Sequence, residues 1–75
     1  MATISQRKKQ QRTALALSKK LEAATDAMAD FSMACFDCNE PIRGADDTRV
    51  TLPQRMREYS GYLRSVYEQG PRAAD

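Results

Sequence analysis

Two cysteines, Cys35 and Cys38, stand three positions apart in a chain of 75 residues that has no histidine and no tryptophan. A Cys-x-x-Cys pair does redox exchange when a strand leads into it and a helix starts at it. It holds half of a zinc site when a second pair of ligands exists. Neither context is met, because helix-forming sequence runs into the pair, and the nearest further ligands, Asp37 and Glu40, make a poor set for zinc. Without histidine, nucleophile schemes lose their usual base, and no glycine-rich phosphate loop is present. This residue set predicts a protein that is not an enzyme and takes no metal and no cofactor. The simplest role for both cysteines is that of small apolar core residues, with shared ligation by two chains as an open alternative. An even cysteine count with no secretory signal points to the cytoplasm of a bacterium or of an infected host.

The other chemistry on offer is charge. Residues 1–20 carry Arg7, Lys8, Lys9, Arg12, Lys19 and Lys20 with no acid, residues 21–48 carry seven acids against Arg43, and the net charge is only +2. Such an arm suits an acidic protein surface or phosphates, and a solubilising tail is the alternative. No aromatic residue interleaves the cluster, so phosphate contact would be independent of base sequence. Cations at a helix N-terminus oppose the macrodipole, so the first two turns are expected to fray until an anionic partner meets them. Further on, Tyr59, Tyr62 and Tyr67 lie among Arg55, Arg57 and Arg64. Tyrosine with arginine is the composition of protein interfaces. Spacing puts Tyr59 in the core and leaves Tyr62, Arg64 and Tyr67 for a partner.

These groups need elements to position them. No Pro or Gly occurs before Pro41, and apolar residues recur at Ala14, Leu17, Leu21, Ala24, Met28, Phe31, Cys35 and Cys38 in steps of three and four. That spacing predicts a long helix over 4–39 with a heptad seam, capped by Asn39. A loop follows over 40–51. The pair Thr51 and Gln54 has the spacing of a capping box, with Pro53 in the first turn. A second helix is expected over 52–69 with Leu52, Met56, Tyr59, Leu63 and Val66 inward, and a tail over 70–75. Gly61 in mid-helix implies close packing beside it or a kink. The fold class is all-α, an antiparallel hairpin of one long and one shorter helix. The shorter helix is expected to cover Ala24 to Cys38, leaving Leu15, Leu17 and Leu21 on a projecting segment that seeks a second chain, either a copy making a four-helix bundle or a different target. No run is apolar and long enough to span a bilayer, so no membrane partner is expected.

The stretch Cys35-Phe36-Asp37-Cys38-Asn39-Glu40-Pro41-Ile42 resembles the first half of the zinc finger in the TraR/DksA family of small regulators that act in the secondary channel of bacterial RNA polymerase. Val50-Thr51-Leu52 and the helix after it are similar to that family's segment leading into its second cysteine pair. Pro53 and Met56 stand where that pair would be, and the family's acidic N-terminal motif is replaced by basic residues. The resemblance implies a polymerase-directed regulator with a finger that cannot hold zinc in the family's way.

Taken together, the residues predict a non-enzymatic interaction module, similar in size and simplicity to phage or plasmid accessory proteins that modulate or inhibit a host machine. Arg7, Lys8, Lys9, Arg12, Lys19 and Lys20 would steer association, and Leu15, Leu17, Tyr62, Arg64 and Tyr67 would supply contact. A nucleic-acid-binding hairpin dimer and a small structural part of a virion are the alternative readings.

Overall fold

The computed structural model describes residues 1–74 and consists of two helices, α1 (Ile4–Asp37) and α2 (Thr48–Tyr67), folded back as an antiparallel hairpin. The hairpin is a rod of 53 × 18 × 18 Å, its length set by the 34 residues of α1. The tail is described as far as Ala74, and Asp75 lies outside the described residues.

The arm is helical from its first turn rather than frayed. Thr3 accepts a hydrogen bond from the Gln6 amide at 3.1 Å, and the Gln6 side chain accepts one from the Thr3 amide at 2.8 Å. This reciprocal box satisfies two of the amides that a helix start leaves orphaned, and so offsets the unfavourable dipole. The other end of α1 is Asp37, two residues short of the predicted limit, with Cys38 as its C-cap. Asn39 takes a left-handed φ of 62°, its amide donates to Phe36 O, and the Glu40 amide donates to Cys35 O at 2.7 Å, the pattern of a Schellman cap. Asn39 is thus the capping residue expected, and Pro41 follows it.

α2 starts four residues earlier than the Thr51 box predicts. Asp47 caps it by accepting from the Arg49 amide at 2.9 Å. Arg49 then ties both ends of the loop together, donating to both Asp47 carboxylate oxygens at 3.0 and 2.6 Å and to the carbonyls of Glu40 and Pro41 at 2.7 and 3.3 Å. These bonds outcompete the hydroxyl cap at Thr51. Pro53 therefore falls at the sixth helical residue, where it cannot donate to the Arg49 carbonyl, and its buried ring packs on the seam instead. At the far end Gly70, with φ 131°, breaks the helix ahead of Pro71.

The register also differs from expectation. Because the loop runs back along the last turns of α1, α2 does not begin opposite Cys38, and every α2 residue sits further toward the N-terminus of α1. Ser60 meets Ser18, and the Tyr67 carbonyl accepts from the Gln11 side chain at 2.9 Å. α2 thus covers α1 down to Gln11 rather than Ala24, and only about the first two turns of α1 project.

The seam follows heptad steps, but along a different stripe. Ala14, Ser18, Thr25 and Cys35 are buried on α1, with Leu21, Met28 and Ser32 half-buried between them. On α2 the buried set is Pro53, Ser60, Leu63 and Tyr67. Positions 14, 21, 28, 35, 56 and 63 are shared with the predicted seam. The alternate positions move by one residue, from 17, 24 and 31 to 18, 25 and 32, and from 52, 59 and 66 to 53, 60 and 67.

The reason is close approach. The hydroxyls of Ser18 and Ser60, 1% and 3% exposed, lie 2.7 Å apart, and each also reaches the other's carbonyl. Thr25 and Ser32 bond carbonyls of their own helix, at 2.7 Å to Glu22 and 3.0 Å to Met28, so neither needs a partner across the seam. The apolar core is small. Ala14, Leu63 and Tyr67 form its centre, with Leu15, Leu21 and Val66 packed around them.

Candidate interaction face

The one-residue shift of the seam has a direct consequence for what the molecule exposes. The local twofold axis relating two antiparallel helices is normal to the plane of the hairpin, so positions one residue before the seam on each helix share one face. Positions one residue after it share the other. Glu22 follows Leu21 and Arg64 follows Leu63, and these two are joined across the second face at 2.7 Å. The first face collects Leu17, Ala24 and Phe31 from α1 with Leu52, Tyr59 and Val66 from α2. Leu17 is 43% exposed, Phe31 60%, Leu52 48% and Tyr59 47%.

This is an apolar strip along the rod, with no acid or base in its central positions. Tyr62, also exposed, extends its edge, with its ring centroid 6.1 Å from that of Tyr59. Near the loop the strip runs into a shallow groove between Phe31, Cys35, Pro41 and Arg43. Met33 and Phe36 are exposed apolar residues away from the strip, both in the last two turns of α1.

The predicted contact residues separate into groups. Leu17 and Tyr62 are exposed as expected. Tyr67 is not available, being 7% exposed and part of the core, and Leu15 packs against that same core. Tyr59 takes the opposite correction, predicted inside and found outside. Arg64 is engaged by Glu22. Of the basic arm, Lys8, Lys9, Arg12, Lys19 and Lys20 are exposed, whereas Arg7 is half-buried and donates to the Gln10 side chain at 3.0 Å. Lys8, Arg12 and Lys19, at steps of four and seven, form a column on the outer side of α1, away from the apolar strip.

Cys35 is buried as expected, but Cys38 is exposed at the helix end, since the Schellman turn carries the chain away from α2 there. Both are free thiols. Among the described residues no group of three or more Cys, Asp or Glu is placed to hold a metal, and no helix is long and apolar enough to cross a membrane. Gly61, expected at a close contact, has open space where a Cβ would stand. Ser60 beside it makes the close approach instead.

Electrostatics single out one further pair. The Arg49 guanidinium, hydrogen bonded to Asp47, holds that carboxyl well below the usual carboxylate range, and Asp47 in turn raises Arg49. Sequence reasoning missed both residues, as it missed Ser18 and Ser60. An Asp two positions before an Arg at the end of a loop was the available signal for the first pair. For the serines the signal was a second stripe, 18, 25 and 32, that fits heptad spacing as well as the apolar one does.

Comparison with known proteins gives no match to a family model, to a curated protein or to a solved structure.

Proposed function

We propose that this protein is a non-enzymatic interaction module that binds another protein through the apolar strip of Leu17, Phe31, Leu52 and Tyr59. The observation that carries this reading is the strip itself. Large apolar and tyrosine side chains lie in a continuous line on one face, while small hydroxyl residues occupy the seam. Exposed apolar surface of this extent marks interfaces, and adjacent aromatic residues such as Tyr59 and Tyr62 are enriched in them. The exposed cations of the arm would attract an acidic partner at long range. In this reading the module acts by occupying a surface of a larger machine, as small accessory proteins of phages and plasmids do. Bacterial RNA polymerase is the candidate supplied by the Cys35 to Ile42 resemblance.

A photo-reactive phenylalanine analogue placed at position 31 or 59, and at position 26 as a control away from the strip, tests this in cells. Protein adducts from 31 and 59 but not from 26 are the expected result. Equal labelling from all three positions, or adducts to nucleic acid alone, would overturn it.

The column of Lys8, Arg12 and Lys19 favours a second reading, in which the outer side of α1 contacts a phosphate backbone. Three such contacts would lower log K with log salt by a slope of about 3 on duplex DNA. A flat salt response removes this reading.

A further inference from the structure

We infer that the apolar strip closes on a second copy of this chain, docked antiparallel with its twofold axis near Ala24. This rests on the proposal that the strip binds protein, and names a second copy as its occupant in place of a larger machine, which would then meet the outer sides of the bundle.

Three observations select the copy. The four large exposed residues of the strip are arranged symmetrically about its middle, while Val66, half-buried against the core, stands outside the pairing. Leu17 lies seven residues before Ala24 and Phe31 seven after, so a twofold axis across α1 at Ala24 sets Leu17 of one chain on Phe31 of the other, and the reverse. On α2 the same axis passes between Leu52 and Tyr59. The contact of Ser18 with Ser60 fixes the antiparallel register, and in it the midpoint of Leu52 and Tyr59 lies within one turn of the level of Ala24. Two large side chains on each helix thus find partners of matching length around a small residue on the axis, where helices approach most closely.

Charge selects the same direction. Residues 1–20 carry six cations and no acid, whereas residues 21–48 carry seven acids and one cation. Antiparallel docking lays α1 along α1 of the copy, and residues 7–20 of each then run at the level of residues 28–41 of the other, which carry Asp30, Asp37 and Glu40 and no cation. Parallel docking would set the two basic halves together.

Size agrees as well. Docked about Ala24, two rods 18 Å wide overlap over residues 11–37 of α1, about 40 Å and roughly 700 Å² in projection, close to the ~800 Å² per partner of a standard interface. The intrachain core of Ala14, Leu63 and Tyr67 is smaller than chains of this length ordinarily need to stand alone. A symmetric, isologous contact of this kind completes a four-helix bundle.

The test uses the full chain. Sedimentation equilibrium at micromolar concentration should return twice the chain mass, and Phe31→Glu should weaken association at least about tenfold, since it would bury an unpaired carboxylate. Independently of folding energetics, Ala24→Cys in a Cys35→Ser, Cys38→Ser background should oxidise to a covalent dimer. The native Cys38 thiols should not cross-link, because each stands about 20 Å along the rod from the axis in opposite directions. A monomeric mass at 100-fold higher concentration would overturn the inference, as would cross-linking through Cys38 in place of Ala24→Cys. If the chain is monomeric while the probe at position 31 still labels a different protein, the copy is overturned and the interaction reading stands.

Discussion

The two faces of the hairpin are built from neighbouring columns of the same helices, yet they are finished differently. On one face Glu22 reaches Arg64 near the middle of the rod, Arg57 and Ala29 share its columns, and the large apolar residues are set toward the ends, Leu15 half-buried and Phe36 exposed in the last turn of α1. On the other, Leu17, Phe31, Leu52 and Tyr59 are about half exposed or more. The difference shows that the pairing of α1 with α2 is not chosen for maximal apolar burial. Ser18 and Ser60 bring the backbones close and satisfy each other, which two leucines at those places would prevent. The larger apolar residues are thereby turned outward, where they remain exposed.

The strongest way to break this arrangement is to empty the seam. Leu63→Ala removes the most buried large apolar side chain of the core and should cost about 2–5 kcal/mol, read from urea unfolding. An unchanged midpoint would mean that the seam contributes little. Ser18→Ala should cost about 1–3 kcal/mol, because it leaves the Ser60 hydroxyl without its partner. The double replacement of Ser18 and Ser60 by Ala should recover most of that loss. Additive losses would show that the hydroxyl pair is not a unit.

Gly61→Ala sharpens the contrast from the outside. Open space surrounds the position, so the substitution should stabilise by roughly 0.5–1 kcal/mol through helix propensity alone. Destabilisation would place a close contact at Gly61 after all. Glu22→Gln, which removes the ion pair of the charged face, should change stability by less than about 0.5 kcal/mol, because both partners are substantially exposed. A larger loss would make that face a determinant of the pairing.

The loop that sets the level of α2 titrates separately. The carboxyl of Asp47 is depressed by Arg49, so its contribution is complete above its unfolded value of about 3.9 and is lost as pH falls below it. Asp47→Asn keeps a capping side chain and should flatten the decline of the melting temperature between pH 5 and pH 2. An equally steep decline in the variant would assign the acid sensitivity elsewhere.

Much of the architecture was legible in the chain. The absence of Pro and Gly before Pro41, the steps of three and four, Asn39 as a cap and Gly70-Pro71 as a stop are local signals with local causes, and the two helices follow from them. The start of α2 was misread because two capping solutions compete there. Asp47 wins by bonds to Arg49, whose other donors reach back to Glu40 and Pro41, and such bonds exist only once the loop has closed.

The exposed apolar face was less legible. Heptad spacing is satisfied by the column of Leu17, Ala24 and Phe31 and equally by that of Ser18, Thr25 and Ser32. Hydrophobicity alone favours the first. The choice between them depends on how near the two backbones can come, and that is a property of the pair. The sequence by itself determined that there would be two amphipathic helices, their approximate ends and a basic beginning to the first, because these depend on neighbours along the chain. Only the tertiary structure decided which column is buried and which tyrosines and leucines are exposed, because those depend on the approach of Ser18 to Ser60, 42 residues apart.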